Sequence, residues 1–492
     1  MILNRVLFPA PCVRDRDNHI ETYYTKRPTV FAVGRFVCGF SLYHIIMKCG
    51  ILIKSLTGGI IMKTGKAAWT IKYSLLNSTY FIAFCTIHAY AAVFLLAHGF
   101  TNTQVGILLA LANISSAVCQ PLVAALIDKP GPVTNRGFII FSVLAIMAGS
   151  GLLMLVNENK VIIFIVYALI YMIQFTYQPV MTALCFEYQN KGADIMYGLS
   201  RGLGSAGFAV TSMLIGGVVE KRGVFVLLIV NVFAMAASLA AILLFRNPAK
   251  GAAKEAVAAR DHAEEERQGT GAGKLQEDEE TDMKSQAQGG TLDGGRGDAA
   301  GSSLREFAKM YPAYAVFLVA VVCFFFAHNM INDFMIQIIR ELGGAEKELG
   351  TANFLQAILE LPVMAMIGVI LKKISARKLL LISGVAFLIK IVILIFAKDM
   401  TAMYISQSFQ LLAYALFIPA AAYYVCETMR QFDQVKGQAF ITTAITVGGI
   451  FSNFISGRIL DSLGVKAMLI TGTMVCAVGV VIAFLALGRR RS

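Results

Sequence analysis

TNTQVGILLALANISSAVCQPLVAALIDK (residues 101–129) and AEKELGTANFLQAILELPVMAMIGVILKK (residues 345–373) follow one pattern. Setting Gly106 on Gly350 carries Asp128–Lys129 onto Lys372–Lys373 without a gap. A second pair, VVEKRG (Val218–Gly223) and RILDSLG (Arg458–Gly464), closes the fifth apolar run of each half. Parallel repeats of this kind mark a membrane architecture in which two halves enclose a solute site near the bilayer midplane.

Composition supports the membrane reading. The 492 residues are 57% hydrophobic and 15% charged, with a mean hydropathy of +0.67, well above a soluble domain. The net charge of +13 invites a nucleic-acid reading. Lys and Arg, however, sit in alternate short loops (Lys129/Arg136, Lys191, Lys372/Lys373/Arg377/Lys378, Arg430/Lys436) and in Arg489–Arg491 rather than on one basic face. Lys221–Arg222 is the main exception. That bias places both termini and the central linker on the cytoplasmic side of a plasma membrane. The nine cysteines are scattered, mostly within apolar runs, and form no CxxC pair, so no disulfide framework, metal site or cofactor is expected.

Twelve apolar runs reach spanning length, near residues 75–97, 103–127, 137–156, 160–185, 199–219, 223–246, 311–338, 349–371, 377–397, 401–426, 438–460 and 465–487. The fold expected is therefore an all-α integral membrane protein with twelve transmembrane helices in two pseudo-symmetric six-helix bundles. The bundles are residues 62–246 and 306–492. Between them lies 247–305, a segment rich in Gly, Ala, Glu, Asp, Gln and Lys whose composition gives a flexible linker. Its GTGAGKL (Gly269–Leu275) lacks the spacing and the Ser/Thr of a phosphate loop, so the chain is not expected to use ATP. Residues 1–61 are patchy, broken by Arg35, Lys48 and Lys54, whereas Met62 opens a basic amphipathic lead into the first run. A dispensable amino-terminal extension is the reading; an amphipathic or thirteenth span is the alternative.

Several of these segments resemble the major facilitator superfamily, in its lactose-permease-like and phenylpropionate-permease-like branch. GFTNTQVGILLA (Gly99–Ala110) is similar to the family's turn into the second span, and QPLVAALIDK (Gln120–Lys129) to the end of that span. YGLSRGLGSAG (Tyr197–Gly207) resembles the opening of the fifth span, whose arginine contacts sugar; here that arginine is Arg201. LQAILELPVM (Leu355–Met364) looks like the eighth-span motif of the branch. The resemblance implies a secondary transporter working by alternating access. It also implies a cytoplasmic gate at Asp128, Lys129 and Arg136, interrupted here by Pro130 and Pro132. The chain departs from lactose permease in the tenth span, where SQSFQLLAYALFIP (Ser406–Pro419) places Gln410 and Ala413 at the positions of a proton-coupling histidine and glutamate. Lys390 stands for the ninth-span arginine, and Glu187 falls about a turn later than the glutamate that pairs with the fifth-span arginine.

An ionisable residue inside such a segment costs about 2.5–3.5 kcal/mol on insertion scales, so each needs a partner, water or a substrate. Asn329, Asn332, Asp333 and Gln337 share one face of the seventh run, facing a cavity or gluing helices together. Gln356 and Glu360 lie one turn apart before Pro362, and Glu360 and Asp333 are the expected proton carriers. Lys390, mid-run, is expected to pair with Glu360 or to bridge the halves. Arg201 offers its planar fork to a substrate carboxylate or hydroxyls, or else pairs with Glu187 or Asp194 at the rim. Asn113, Ser116 and Gln120 form a weaker stripe, as do Gln407, Gln410 and Tyr414, and as do Asn77, Tyr80 and His88.

The expected function is transport of a small organic solute (sugar, nucleoside or aromatic acid), with proton symport favoured and a drug/proton antiporter as the rival. The expected partners are that solute, protons and the bilayer, with no nucleic acid, and the expected state is a monomer. A membrane-embedded enzyme or lipid-handling protein is the rival from another class, and the sequence has no HExxH helix to support it.

Overall fold

The computed structural model describes residues 64–129, 131–156, 158–246, 304–430 and 433–488. The amino-terminal extension, nearly all of the linker with Gly269–Leu275, Pro130 and the terminal arginines lie outside the described residues. Every regular element among those residues is helical. In chain order they are α1 (Thr64–Phe84), a π-turn (Cys85–Ala89), α2 (Ala91–Ala97), α3 (Asn102–Asp128), α4 (Asn135–Leu155), α5 (Lys160–Asn190), α6 (Tyr197–Arg222) and α7 (Phe225–Leu244). There follow α8 (Leu304–Met310), α9 (Pro312–Asp333), α10 (Met335–Glu341), α11 (Glu346–Lys373), α12 (Ala376–Ile395), α13 (Met400–Ser408), a 3-10 turn (Phe409–Leu411), α14 (Tyr414–Thr428) and α15 (Gln434–Leu487).

Among the described residues, 9 helices are long and apolar enough to cross a membrane, or 11 when each bent pair counts as one span. α15 has 54 residues, about 80 Å at 1.5 Å per residue, far longer than a hydrocarbon core of about 30 Å. It is broken at Gly464, and the expected count of twelve is reached only by dividing it there.

Gly464 (φ 80, ψ −177) and Gly223 (φ 80, ψ 173) adopt the same left-handed extended conformation, which a side chain would resist. They are the paired glycines of VVEKRG and RILDSLG, so the sequence repeat is also a backbone repeat. Gly223 ends α6 and Gly464 kinks α15, each leading into the last helix of its half.

α1 starts at Thr64, earlier than the run at 75–97 suggested. Packing explains the extra turns. Trp69 meets Tyr188 and Phe245 edge-on, and Tyr73 lies against Phe245, so aromatic burial extends the helix through its basic lead. In the first half several buried tyrosines donate to backbone carbonyls: Tyr73 to Met181, Tyr80 to Gln174, Tyr167 to Ile87. Buried Asn231 of α7 donates to the Ala83 carbonyl and Thr86 and accepts from Ser150 of α4. The second half is filled instead by phenylalanines, Phe317, Phe324, Phe325, Phe387 and Phe417. Leu122, Leu214, Phe233 and Val481 point outward, as lipid-facing residues do.

The halves meet along two seams, α3 against α15 and α6 against α11. Both are closed at the end that carries the α2–α3, α10–α11 and α15 turns, called here the far end; the opposite, loop-basic end is the basic end. At the first seam Gly106 sits on the Asn453 carbonyl and Gly457 on the Asn102 carbonyl. At the second, Gly350 sits on the Ser212 carbonyl and Gly216 on that of Glu346. A Cβ at any of the four would collide with backbone, so the glycines of the repeat are what lets the halves touch.

Candidate functional site

Helix interruptions set the site. The π-turn Cys85–Ala89 ends at Tyr90, and the two parts of that span are bent by 49°. α9 stops at Asp333, and Phe334 (φ −116, ψ 27) separates it from α10. The 3-10 turn and Ala413 (φ −80, ψ −93) split α13 from α14. Pro362 lies in α11, two residues after Glu360. Irregular backbone inside a membrane survives only where it is buried in protein or lines a wet cavity. Here neighbouring side chains satisfy the carbonyls. Tyr167 donates to Ile87 at 2.7 Å, and Ser383 to Ala413 at 2.7 Å.

The interruption in the tenth span carries Gln410 into the centre of a chain of polar contacts. Its Nε2 donates to Glu360 Oε1 at 2.9 Å, and its Oε1 accepts from Lys390 Nζ at 2.8 Å. Lys390 is 0% exposed and Gln410 1%. Ser406 donates to the Lys390 carbonyl. The expected Lys390–Glu360 ion pair is therefore indirect: the 3-10 turn inserts the glutamine amide between ammonium and carboxylate. His328, on α9, stacks its ring on Tyr414 at 5.2 Å, and its Nε2 meets Asn332 Nδ2 at 2.9 Å.

Arg201 approaches this cluster from the other half. Glu360 and Tyr414 both lie within reach of its charge. Its guanidinium stands 4.1 Å from the centre of the Phe81 ring and donates to Ser205 Oγ at 3.0 Å. Among the described residues it makes no ion pair. Glu187, one of its expected partners, is engaged elsewhere, by Lys191 at 2.6 Å and Asn135 at 2.9 Å, because its extra turn of displacement carries it to the rim. Glu187 therefore stands apart from the cluster.

Asp333 forms a second group. It faces Asn453 of α15 without closing a normal hydrogen bond, and Tyr171, beside Asn113, feels its charge. Gln337 leaves this face to donate to Asn102 across the halves at 2.8 Å. Asn329 packs against Gly449. His88, on the π-turn, is wedged between Phe84, Tyr171 and Phe175, and both its ring nitrogens are buried without a partner. The Gln356 amide oxygen is likewise buried and unpartnered. Ser116 and Gln120 instead bond carbonyls of Met172 and Phe175 and hold α3 to α5. Of the residues expected to form a gate, Asp128 and Lys129 are exposed, and Arg136 donates to the Ile242 and Leu243 carbonyls at the end of α7.

Three features escaped the sequence reading. Phe81 was not singled out, since an aromatic in an apolar run carries no signal of its own. His328 was hidden by the asparagines that follow it. GLSRG (Gly198–Gly202) has the G-x-S-x-G spacing of a hydrolase nucleophile, but Ser200 lies inside α6, 0% exposed and bonded to Ser74 at 2.8 Å, not on a strand-to-helix elbow. Among the described residues no group of three His, Cys, Asp or Glu is placed to hold a metal.

Two repeated helical halves, interrupted spans and buried polar side chains are the frame of a multi-pass membrane transporter. The chain belongs to the MFS_1 like family, whose model matches residues 42–483, and so to the major facilitator superfamily. No curated protein matches the sequence. Among solved structures it is similar to a variant of the nucleoside transporter NupG (TM-score 0.65, 13% identity, covering 85% of this chain and 99% of that one). NupG itself gives a TM-score of 0.62 at 13% identity, over 85% and 98% of the two chains. An auto inhibited POT family peptide transporter gives 0.64 at 12% identity, over 86% and 98%. At such identities the likeness is one of fold.

Proposed function

We propose that the chain is a proton-coupled symporter that moves a small aromatic acid across the plasma membrane by alternating access. The observation that carries this reading is Arg201: a guanidinium with no ion-pair partner among the described residues, lying on an aromatic ring beside the Glu360–Gln410–Lys390 chain. A carboxylate takes both arms of an arginine fork, and Phe81 offers a face to the rest of the solute. A neutral sugar would leave that charge without a counter-charge. Glu360 is the proton carrier, with Asp333 the second carboxylate, and Lys390 and Gln410 hold Glu360 in place.

In this reading the halves are residues 62–246 and 306–492, joined by the linker 247–305, and the transporter works as a monomer with both termini in the cytoplasm. Closure at the far end and exposure of Asp128 and Lys129 at the basic end favour a state open toward the cytoplasm. A nucleoside is the second candidate solute. Its base would stack on Phe81 and its hydroxyls would meet Arg201 and Gln410, and the nucleoside transporter NupG shares the fold.

Uptake of labelled aromatic acids, nucleosides and sugars into vesicles, with and without an uncoupler, tests the proposal. Uncoupler-sensitive uptake of an aromatic acid, lost in Glu360→Gln, is the expected result. Uptake indifferent to the uncoupler and unchanged in Glu360→Gln removes proton coupling, and uptake confined to sugars removes the aromatic-acid reading. Export driven by an inward proton gradient would move the chain to the antiporter class.

A further inference from the structure

The far-end seams are built from matching glycines, yet among the described residues only one carries a carboxylate across it. Asp461, in RILDSLG of the second half, caps the start of α3 in the first. Its Oδ1 accepts from the Asn102 backbone N–H at 3.0 Å and from Asn102 Nδ2 at 2.9 Å, and its Oδ2 accepts from the Thr103 backbone N–H at 2.7 Å. Thr103 Oγ1 donates to the Gly457 carbonyl at 3.4 Å, and Gln337 of the second half reaches Asn102 Oδ1. Among the described residues, the side-chain hydrogen bonds between the halves all lie in this cluster. At the other seam the repeat puts Glu220 in the corresponding position, and it is exposed. The helix it would have to cap begins with Glu346 and Glu348, which repel a carboxylate.

We propose that Asp461 is an inter-half latch: a carboxylate of one half that caps a helix of the other only while the far end is closed, making the α3–α15 seam the one that must unlatch before the far end opens. The cap is worth forming because the first N–H groups of a helix have no partner within it and carry partial positive charge. Its exposure to water lets solvent take over both sides when the halves part. The role rests on the alternating-access reading but not on the identity of the solute, and its test needs none.

Hydrogen–deuterium exchange by mass spectrometry, on the full chain in lipid nanodiscs, reads the latch directly through the Asn102 and Thr103 amides. In Asp461→Asn, which loses one acceptor oxygen and the charge, exchange in a peptide over residues 99–106 should rise roughly fivefold to tenfold. Exchange at the basic end, at residues 131–134 and 428–430, should fall in the same variant, because opening one end closes the other. Asp461→Glu should recover part of the protection, and Glu220→Gln should change neither region. Unchanged exchange at 99–106 overturns the proposal. A rise there with no change at the basic end also overturns it, reducing Asp461 to a local helix cap. If vesicle uptake fails for every solute while the reciprocal exchange appears, the proposed substrate falls and the latch stands.

Discussion

Replacing Gln410 by leucine removes the amide that joins Lys390 to Glu360 while nearly keeping its volume. The two hydrogen bonds, 2.8 Å and 2.9 Å, each end on a charged group. Bonds of that kind contribute about 1.5–3 kcal/mol each, so the variant should lose about 3–6 kcal/mol. Lys390, fully buried, bears most of this, since no water replaces its lost acceptor. The same physics predicts a rescue. In a triple variant that adds Lys390→Met and Glu360→Met, no stranded charge remains, and an apolar cluster of similar volume should recover at least half of the loss. Scanning fluorimetry in nanodiscs compares the three proteins under one protocol. The single variant should melt on the order of 5 °C or more below the parent, and the triple variant should lie between them. A single variant that melts with the parent, or a triple variant that falls as far as the single one, refutes the claim that Gln410 is a buried bridge.

Arg201→Lys keeps the charge but loses the fork and the flat contact with Phe81. It should cut uptake about tenfold or more while leaving the melting temperature near that of the parent, as uptake and fluorimetry on one preparation will show. Gly106→Val drives a side chain into the Asn453 carbonyl, so the far end should stand open. An impermeant thiol reagent applied from that side should then label Gln356→Cys faster than it does with Gly106 intact. Asn231→Leu strips Ser150 and the Ala83 carbonyl of a shared partner and should cost about 1–3 kcal/mol in the same melting assay, without altering the solute's KM.

Much of the architecture was legible because a bilayer restricts the options. Apolar length gives the helices, the Gly106/Gly350 register gives the halves, and VVEKRG with RILDSLG marks turns that share one backbone conformation. The interruptions were less legible. Pro362 announces itself, but the π-turn at Cys85–Ala89 and the 3-10 turn at Phe409–Leu411 carry no proline or glycine, and only tertiary packing selects them. The site was legible as a set of residue types and illegible as a set of partners. Lys390 and Glu360 were expected to meet directly, and a glutamine stands between them. Pairing with Glu187 was one of the readings open for Arg201, yet a single turn of helix sends that carboxylate to Lys191. Asp461 was not singled out at all, because its partners lie more than three hundred residues away.

The glycine seams have a consequence for how such a chain diversifies. Where Gly106, Gly216, Gly350 and Gly457 press on carbonyls of the opposite half, the contact is main chain against main chain. At those four points it asks nothing of side-chain chemistry and freezes no rotamers, unlike the Asp461 cluster on the α3–α15 seam. In the proposed reading, residues around Arg201 and Gln410 can be exchanged for others suited to a new solute while these main-chain contacts between the halves stay the same.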